Sequence, residues 1–224
     1  MINFDIITIF PDFFNSFLSE SIIKKAQEKN LISINIHNLR DFTKDKHKTV
    51  DDKPFGGGEG MVMKVEPIYR AIKKLRRSKI ESRKSKVVLF TPRGKKFNQK
   101  LAFSFSKLDQ LILICGRYEG IDERVAENLV DEKISIGDFV LMGGEIPAMA
   151  VIESVSRLIP GVAGNKELLK RITKKKGFLE FPQYTRPEVF KPEKGKKWSV
   201  PKILLSGHHK KIKQWREKKS REIS

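Results

Sequence analysis

Eleven consecutive residues near the middle of the chain decide the fold class: Gln110-Leu111-Ile112-Leu113-Ile114-Cys115-Gly116-Arg117-Tyr118-Glu119-Gly120. The apolar run at 110–114 has the length and composition of a buried strand. A glycine-bearing loop follows this run and leads into a helical pattern at Asp122–Val130. This order of strand, loop and helix is the unit from which parallel sheets are built.

The same unit recurs on both sides of this stretch. Apolar runs predict further strands at Asn3–Ile9, Ile32–Ile36, Lys86–Phe90 and Lys133–Ile136. Helical patterns occur at 13–26, Glu66–Arg77, Asn98–Lys107 and Ile146–Leu158. Strands that alternate with helices need crossover connections, so the sequence predicts an α/β fold with a mostly parallel sheet.

Three of the predicted strands end in glycine-bearing loops, at Thr91–Gly94, Gly116–Gly120 and Gly137–Glu145. Ligands of open parallel sheets bind beyond the carboxyl ends of the strands, and glycine lets a backbone approach a ligand closely. Ordinary strand-to-helix turns are the alternative interpretation. The chain has no G-x-G-x-x-G motif, and Gly56–Gly60 lacks the Lys-Ser/Thr pair of a P-loop. Backbone groups would therefore hold any cofactor here.

The composition excludes several protein classes. With 39% hydrophobic and 33% charged residues in 224, the chain is globular, and no apolar run approaches the roughly 20 residues that a membrane span needs. The N-terminus lacks the basic start and the cleavage site of a secretory signal. The single cysteine, Cys115, excludes an internal disulfide and cannot build a zinc site alone. We therefore expect a cytoplasmic protein without a membrane partner.

The net charge of +19 is concentrated in the last third of the chain. Residues 160–224 hold 19 basic and 6 acidic residues, for a net charge of +13. Such a surplus favours a nucleic-acid partner, although the high lysine content is also what an AT-rich genome would impose. The change from apolar periodic patterns to polar, basic and proline-rich sequence after Gly161 predicts three segments. They are an α/β domain at 1–163, a basic linker at 164–177, and a small, basic, mainly helical domain at 178–224.

Several single residues in this chain allow two interpretations. Trp198 and Trp215 would suit base stacking, but core packing is an equally good interpretation for each. Adjacent histidines on a helix point apart, so His208 and His209 favour a contact with RNA phosphates over a metal site. Cys115 ends an apolar run and is interpreted as a buried thiol.

Seven blocks of sequence carry a resemblance to a known family: Thr49–Gly58, Cys115–Arg124, Ser135–Leu141, Gly143–Glu145, Arg157–Val162, Tyr184–Pro187 and Ser206–His209. In order and over nearly the whole chain, these blocks resemble the bacterial tRNA (guanine-N1)-methyltransferases. The resemblance implies an α/β fold with a deep trefoil knot and an obligate homodimer. It also implies transfer of a methyl group from S-adenosylmethionine to N1 of the guanosine 3′-adjacent to the anticodon of tRNA.

The resemblance also assigns roles to individual residues. It implies that Arg157 stabilises the negative charge on guanine O6, and that Glu119 lies near a magnesium ion. The positions that it assigns to the cofactor are Leu89, Phe90, Thr91, Pro92, Gly94, Gly116, Glu119, Ile136, Gly137, Asp138, Phe139, Val140, Leu141, Gly143, Gly144 and Pro147.

The general base is the point at which this sequence departs from the family pattern. The family has an aspartate fifteen residues after the arginine, whereas this chain has Ile172 there and no aspartate after Asp138. Two acids remain nearby. Glu167 is crowded by basic residues, which makes it a poor base, whereas Glu180 lies between Leu179 and Phe181, an apolar setting that suits a base. We therefore expect Glu180 to supply the base.

Two hypotheses of different classes follow from these observations. The first is an active tRNA methyltransferase. The second is an RNA-binding protein on the same scaffold that has lost catalysis, which the missing aspartate and an end at Ser224, short of many family members, would favour. A further hypothesis, of the same class as the first, is a knotted methyltransferase with another RNA substrate.

Overall fold

A computed structural model describes residues 1–77, 84–163 and 178–222 of the chain. Contacts divide the chain into two compact units, Met1–Leu169 and Lys170–Ser224. The predicted linker at 164–177 lies outside the described residues. In the described part of the chain, no helix is both long and apolar enough to cross a membrane.

A five-stranded parallel sheet forms the centre of the first unit. Its strands are β1 (Ile2–Thr8), β2 (Ile32–Asn38), β5 (Ser85–Lys96), β6 (Gln110–Ile114) and β7 (Glu132–Ser135). They lie in the order β2-β1-β6-β5-β7, and every neighbouring pair is parallel. Two further strands, β3 (Asp51–Asp52) and β4 (Val62–Met63), pair antiparallel outside this sheet. The predicted mostly parallel α/β fold is confirmed.

Helices cover both faces of the sheet. The helices of the first unit are α1 (Asn15–Ser19), α2 (Ser21–Glu28), α3 (Val65–Arg77), α4 (Gln99–Phe105), α5 (Glu123–Asn128) and α6 (Glu145–Ser156), with 3-10 turns at Pro11–Phe14 and Leu39–Phe42. Asn98 and Asp122 accept backbone N–H groups of the first turns of α4 and α5, which fixes where these helices begin. The predicted strands and the helices at 66–77, 98–107, 122–130 and 146–158 are present with shifted boundaries. The single helical pattern at 13–26 is instead divided into a 3-10 turn, α1 and α2, because Glu20 has an extended backbone.

The core lies in two layers, one on each face of the sheet. Ile7, Ile112 and Val87 pack with the apolar face of α3 and with Val125 of α5. On the other face, α6 contacts α4 and β1. Every residue of β1 and β6 is buried, because both are interior strands that helices cover on both faces.

The strand β5 is longer than its apolar run indicates. Its pairing with β7 stops at Phe90 and resumes at Lys95, so the loop Thr91–Gly94 bulges out between two paired segments. Gly94 permits this close return, since a Cβ there would lie 2.5 Å from the backbone nitrogen of Ile134. The strand predicted from the sequence ended at Phe90, because Lys95 and Lys96 are polar and give no apolar signal. Their backbone nevertheless pairs with β7.

The second unit is small and open. It contains the helices Lys202–Leu205 and His209–Lys219 and the short antiparallel strand pairs Val189–Phe190 with Trp198–Ser199 and Phe178–Leu179 with Arg221–Glu222. Trp215 is half-buried and packs against Phe181 and Tyr184, each with its ring centroid 6.4 Å away. These aromatic contacts form the centre of the unit.

Candidate functional site

A cavity of about 420 Å³ opens at the carboxyl ends of β6 and β7 and at the bulge that follows the first paired segment of β5. We call it the strand-end cavity. The three glycine-bearing loops and the strand ends next to them line it together, through 89–93, 116–121, 133–136 and 139–144. Its volume is that of a small-molecule site, and its place is where parallel sheets bind ligands. The three loops that the sequence analysis singled out thus lie around one cavity.

The loop after β6 is held from the side by β4. The backbone N–H of Glu119 donates to the carbonyl of Met61 at 3.0 Å, and the N–H of Met63 donates to the carbonyl of Gly120 at 2.9 Å. Tyr118 and Gly120 adopt positive φ angles of 61° and 129°, which turn the chain sharply within this frame. The loop is therefore rigidly placed before any ligand binds.

The loop after β7 lies directly against the end of β6. The backbone N–H of Gly144 donates to the carbonyl of Gly116 at 3.0 Å. A Cβ on Gly144 would lie 2.6 Å from the Cα of Cys115, a distance that no side chain tolerates. Glycine at this position allows two backbones to touch and closes this side of the cavity.

A buried carboxylate connects the ends of β1 and β6 to the start of α6. Glu145 is 1% exposed, and its Oε1 accepts the hydroxyl of Thr8 at 2.8 Å. Its Oε2 accepts both Nε and Nη2 of Arg117 at 2.9 Å. Buried charges of this kind are stable only when they are paired and hydrogen-bonded, and here both carboxylate oxygens have partners.

Arg117 is itself enclosed by aromatic rings and backbone. Its guanidinium lies 4.8 Å from the ring centre of Phe10 and 5.8 Å from that of Phe13. A Cβ on Gly143 would lie 2.2 Å from Nε of Arg117, so the glycine gives the side chain its space. Arg117 also lines the strand-end cavity. Its ion pair with Glu145 and its contacts with Phe10 and Phe13 therefore hold part of the cavity wall in place.

Sequence reasoning missed the contact between Glu145 and Arg117 beside the cavity. The available signal was an acidic residue in the first turn of a helix whose other residues are mostly apolar, a position that also favours negative charge electrostatically. Their separation of 28 residues hid the contact itself.

Cys115 is fully buried behind the cavity, as predicted. Burial raises the pKa of its thiol well above the ordinary value, and the nearby Glu145 carboxylate raises it further. A thiol of this kind is not a nucleophile at neutral pH, since only the thiolate reacts.

Comparisons with known proteins show which family this chain belongs to. The family model described as tRNA (Guanine-1)-methyltransferase TrmD matches residues 2–224. The tRNA (guanine-N(1)-)-methyltransferase of Dictyoglomus turgidum is 52% identical over 220 residues, which are 98% of this chain and 85% of that protein. The protein of the same name from Geobacter sp. strain M21 is 53% identical over 215 residues, 96% of this chain and 83% of the relative. The chain belongs to the tRNA (guanine-1)-methyltransferase family.

A solved structure supports the same assignment for the fold. The crystal structure of the tRNA (m1G37) methyltransferase from Aquifex aeolicus matches with a TM-score of 0.78 at 40% identity, over 96% of this chain and 87% of that one. The chain is therefore a methyltransferase, and such an enzyme takes its methyl group from a donor molecule. The trefoil knot itself stays a prediction.

Most of the cofactor positions predicted for this methyltransferase line the strand-end cavity. They are Leu89, Phe90, Thr91, Pro92, Gly116, Glu119, Ile136, Phe139, Val140, Leu141, Gly143, Gly144 and Pro147. Gly94, Gly137 and Asp138 are not among the residues that line it.

These last three residues shape the methyltransferase's loops from behind. Gly94 brings β5 back to β7, and the ring of Phe139 lies over Gly137, where a Cβ would be 2.2 Å from the ring. The carboxylate of Asp138 pairs with Lys96 and is largely exposed. We infer that these residues act on loop conformation.

Arg157 is not among the residues that line the strand-end cavity of its own chain. Arg157 follows the last turn of α6 and is exposed. At a helical rise of about 1.5 Å per residue, it lies roughly 15 Å along the helix from Pro147, which lines the cavity. Glu180 belongs to the second unit, where it is exposed. Ile172 and Glu167 lie outside the described residues.

Metal-binding capacity in the described part of the methyltransferase is limited. Residues 1–77, 84–163 and 178–222 contain no group of three His, Cys, Asp or Glu side chains that could hold a metal ion. Glu119 lines the cavity, and its carboxylate lies against Gly60, where a Cβ would be 2.9 Å from Oε1. One carboxylate can contribute to a magnesium site only together with ligand oxygens and water.

Proposed function

We propose that this enzyme transfers a methyl group from S-adenosylmethionine to N1 of guanosine 37, the nucleotide 3′-adjacent to the anticodon of tRNA. The observation that carries this proposal is the convergence of three glycine-bearing loops on one cavity, in a chain that matches the tRNA (guanine-1)-methyltransferase family over 2–224. The nucleotide position is that named for the Aquifex aeolicus relative.

The strand-end cavity fits S-adenosylmethionine by its size and by its wall chemistry. Apolar side chains such as Leu89 and Ile136 suit the flat adenine, while loop backbone at 116–120 and 140–144 can supply hydrogen bonds to polar atoms. The backbone of Gly144 packs directly against that of Cys115 and Gly116, which holds these two loop segments together. When bound, S-adenosylmethionine supplies an electrophilic methyl group on a positively charged sulfur.

Guanine N1 carries a proton at neutral pH, so a base must remove that proton before N1 can attack. Negative charge then develops on O6, where a guanidinium provides the best stabilisation. We assign this second task to Arg157. A general base within hydrogen-bond reach of N1 contributes about 10²- to 10⁴-fold in rate.

We assign the base to Glu180. Ile172 occupies the position of the family's aspartate and cannot accept a proton. Of the two acids weighed for this role, Glu167 and Glu180, only Glu180 lies in the part of the chain that the structure describes. It directly precedes Phe181, whose ring packs against Trp215. Glu180 is exposed in the chain alone, so the apolar setting that its sequence neighbours predict would form only when a bound guanine covers the carboxylate.

A homodimer would bring Arg157 to a cavity. The arginine lies too far along α6 to reach the cavity of its own chain, so we assign it to the cavity of a second copy. Exposed apolar side chains at the cavity rim support this arrangement: Val140 is 81% exposed and Met142 89%. A second copy would cover them. Sedimentation that showed a stable, fully active monomer would contradict this assignment.

Magnesium would bind at Glu119 together with oxygens of the bound ligands. A single carboxylate with several waters is an ordinary arrangement for this ion. The proposal predicts that Glu119→Gln raises the magnesium concentration needed for half-maximal activity. Glu127→Gln, at an exposed acid of α5 that does not line the cavity, should leave this concentration unchanged.

The basic C-terminal unit would bind the tRNA backbone, and an enzyme with this substrate would work in the cytoplasm, where tRNA is used. We retain the predicted boundaries, with a catalytic domain at 1–163, a linker at 164–177 and a tRNA-binding domain at 178–224.

The alternative of an inactive RNA-binding protein gains no support, since relatives about half identical to this chain carry the methyltransferase name.

The proposed function is tested with two tRNA transcripts that differ at one nucleotide. One has guanosine at position 37 and the other adenosine. With labelled S-adenosylmethionine, we expect label in the first transcript only, and mass analysis of its digest should place the methyl group on N1 of that guanosine. Label at another nucleotide would indicate a different RNA substrate, and binding without label would favour the inactive alternative.

A further inference from the structure

Two aromatic side chains lie exposed side by side on the hairpin 189–199 of the second unit. Phe190 is 50% exposed and Trp198 64%, and their ring centroids are 5.7 Å apart. They are directly paired residues of two short antiparallel strands. A backbone hydrogen bond from Val200 to Glu188 at 2.9 Å closes the hairpin below them. The pair is thus held in place by backbone pairing and presented to solvent.

The other tryptophan of the chain has a different environment. Trp215 is half-buried among Phe181 and Tyr184 and serves as packing of the unit. The structure therefore separates the two tryptophans that the sequence left equivalent. Packing within the unit accounts for Trp215, whereas Trp198 keeps most of its surface in solvent, where large aromatic side chains often mark a binding surface.

Positive charge surrounds the exposed pair. Lys191, Lys194 and Lys197 are all exposed on the same hairpin. Lys196 forms an ion pair with Glu193 at 2.8 Å, which neutralises the acid of the hairpin turn. Lysine is depleted at protein–protein interfaces, whereas aromatic rings flanked by lysines are typical of surfaces that bind single-stranded nucleic acid.

We propose that Phe190 and Trp198 form a stacking platform for an unpaired base of the tRNA substrate. Lys191, Lys194 and Lys197 would lie beside the phosphates on either side of that base. Unpaired bases in RNA loops are commonly recognised by stacking on aromatic side chains, and every base offers such a face. This inference rests on the proposed function, because it assumes that tRNA is the substrate.

The test replaces the indole while keeping an apolar side chain. Trp198→Leu should weaken tRNA binding by about 5- to 150-fold at constant salt, the range measured for the loss of one stacked base. Trp198→Phe keeps an aromatic face and should retain most of the affinity. Leu205→Ala, which trims an apolar side chain 48% exposed in the same unit, is the matched control and should bind as the wild type does.

A second measurement uses the wild-type protein and does not depend on a variant. Acrylamide quenches the fluorescence of exposed tryptophan, and the exposed tryptophan here is Trp198. Saturating tRNA should lower this quenching markedly, whereas S-adenosylmethionine alone should leave it unchanged. Unchanged quenching in the tRNA complex would overturn the platform.

Binding and methylation are measured separately, so that the two proposals can fail independently. If the wild type methylates tRNA and Trp198→Leu binds it equally well, the platform is wrong and the proposed function stands. If the wild type binds tRNA without methylating it, the proposed function is wrong and the platform is judged by binding alone. A change in sedimentation with Trp198→Leu would mean that the hairpin contacts a second copy, which would also overturn the platform.

Discussion

Replacing Glu145 by Gln should destabilise the first unit strongly while changing its shape hardly at all. The substitution removes the charge that pairs with Arg117 through two contacts of 2.9 Å, in a carboxylate that is 1% exposed. Breaking a buried pair from one side costs about 3–5 kcal/mol. The amide can still accept the hydroxyl of Thr8, so we expect a loss near the lower end, about 3 kcal/mol. At about 2–4 °C per kcal/mol, Tm should fall by roughly 6–12 °C.

The chain offers a matched control for this experiment. Glu123 also lies in the first turn of a helix and also pairs with a cation, Lys133, at 3.3 Å. Its side chain is 60% exposed, however, and such surface pairs contribute about 0–1 kcal/mol. Glu123→Gln should therefore lower Tm by less than about 4 °C. Equal shifts for the two variants in a thermal melt would refute the importance that we give to the buried pair.

A double substitution separates the charge interaction from packing. Removing both charges, with Arg117→Met and Glu145→Leu together, should cost less than Glu145→Leu alone, because no buried charge is left without a partner. Affinity for the methyl donor should fall in each of these variants, since Arg117 lines the strand-end cavity. A donor affinity that is unchanged while Tm falls would mean that the pair supports the fold and not the site.

Four further predictions address the site and the charge distribution. Gly144→Ala places a Cβ 2.6 Å from backbone and should reduce donor affinity at least about tenfold in calorimetry, whereas Gly116→Ala meets only the side chain of Ile121 at 3.3 Å and should have a smaller effect; equal losses would contradict this reading. Glu180→Gln should lower the single-turnover methylation rate at least about a hundredfold with little change in tRNA affinity, and a loss in Glu167→Gln instead would move the base to that residue. Neutral residues at Lys210, Lys211 and Lys213 should reduce the salt dependence of log affinity for tRNA by up to about three units, and an unchanged slope would assign the lysine surplus to genome composition. Burial alone would raise the pKa of Glu132, but Lys86 and Lys95 outweigh it and hold that pKa below its ordinary value of 4.5. A lowered folded-state pKa stabilises the fold above pH 4.5 and loses this effect as pH falls through the folded value, so the Tm difference between wild type and Glu132→Gln should disappear in acid.

The sequence predicted the parallel sheet because the signal for it is local. Apolar runs such as Gln110–Ile114 are buried on both faces, and a strand of this kind is recognised by its own residues. The three glycine-bearing loops could be predicted to converge for the same reason, since the carboxyl ends of parallel strands share one edge. Resemblance then supplied the chemistry, because spacing alone does not distinguish a methyl donor from other ligands.

The return of β5 to β7 could not be predicted in this way. Lys95 and Lys96 carry no apolar signal, and their pairing depends on backbone atoms of a distant strand. The exposure of Trp198 and the half-burial of Trp215 were likewise undetermined, since an isolated tryptophan has the same preferences in both places. Its neighbours decide the matter, and they come from other parts of the unit.

By itself, the sequence determined the fold class, the candidate ligand edge and the concentration of positive charge after residue 160, all of which follow from neighbouring residues. Only the tertiary structure decided that Glu145 is buried against Arg117 and Thr8, that Gly144 touches the backbone of Cys115, and that Arg157 lies away from the cavity of its own chain. The physical reason is the same in each case. Burial, charge pairing and close backbone contact depend on residues far apart in sequence, and only the packed chain brings them within a few ångströms.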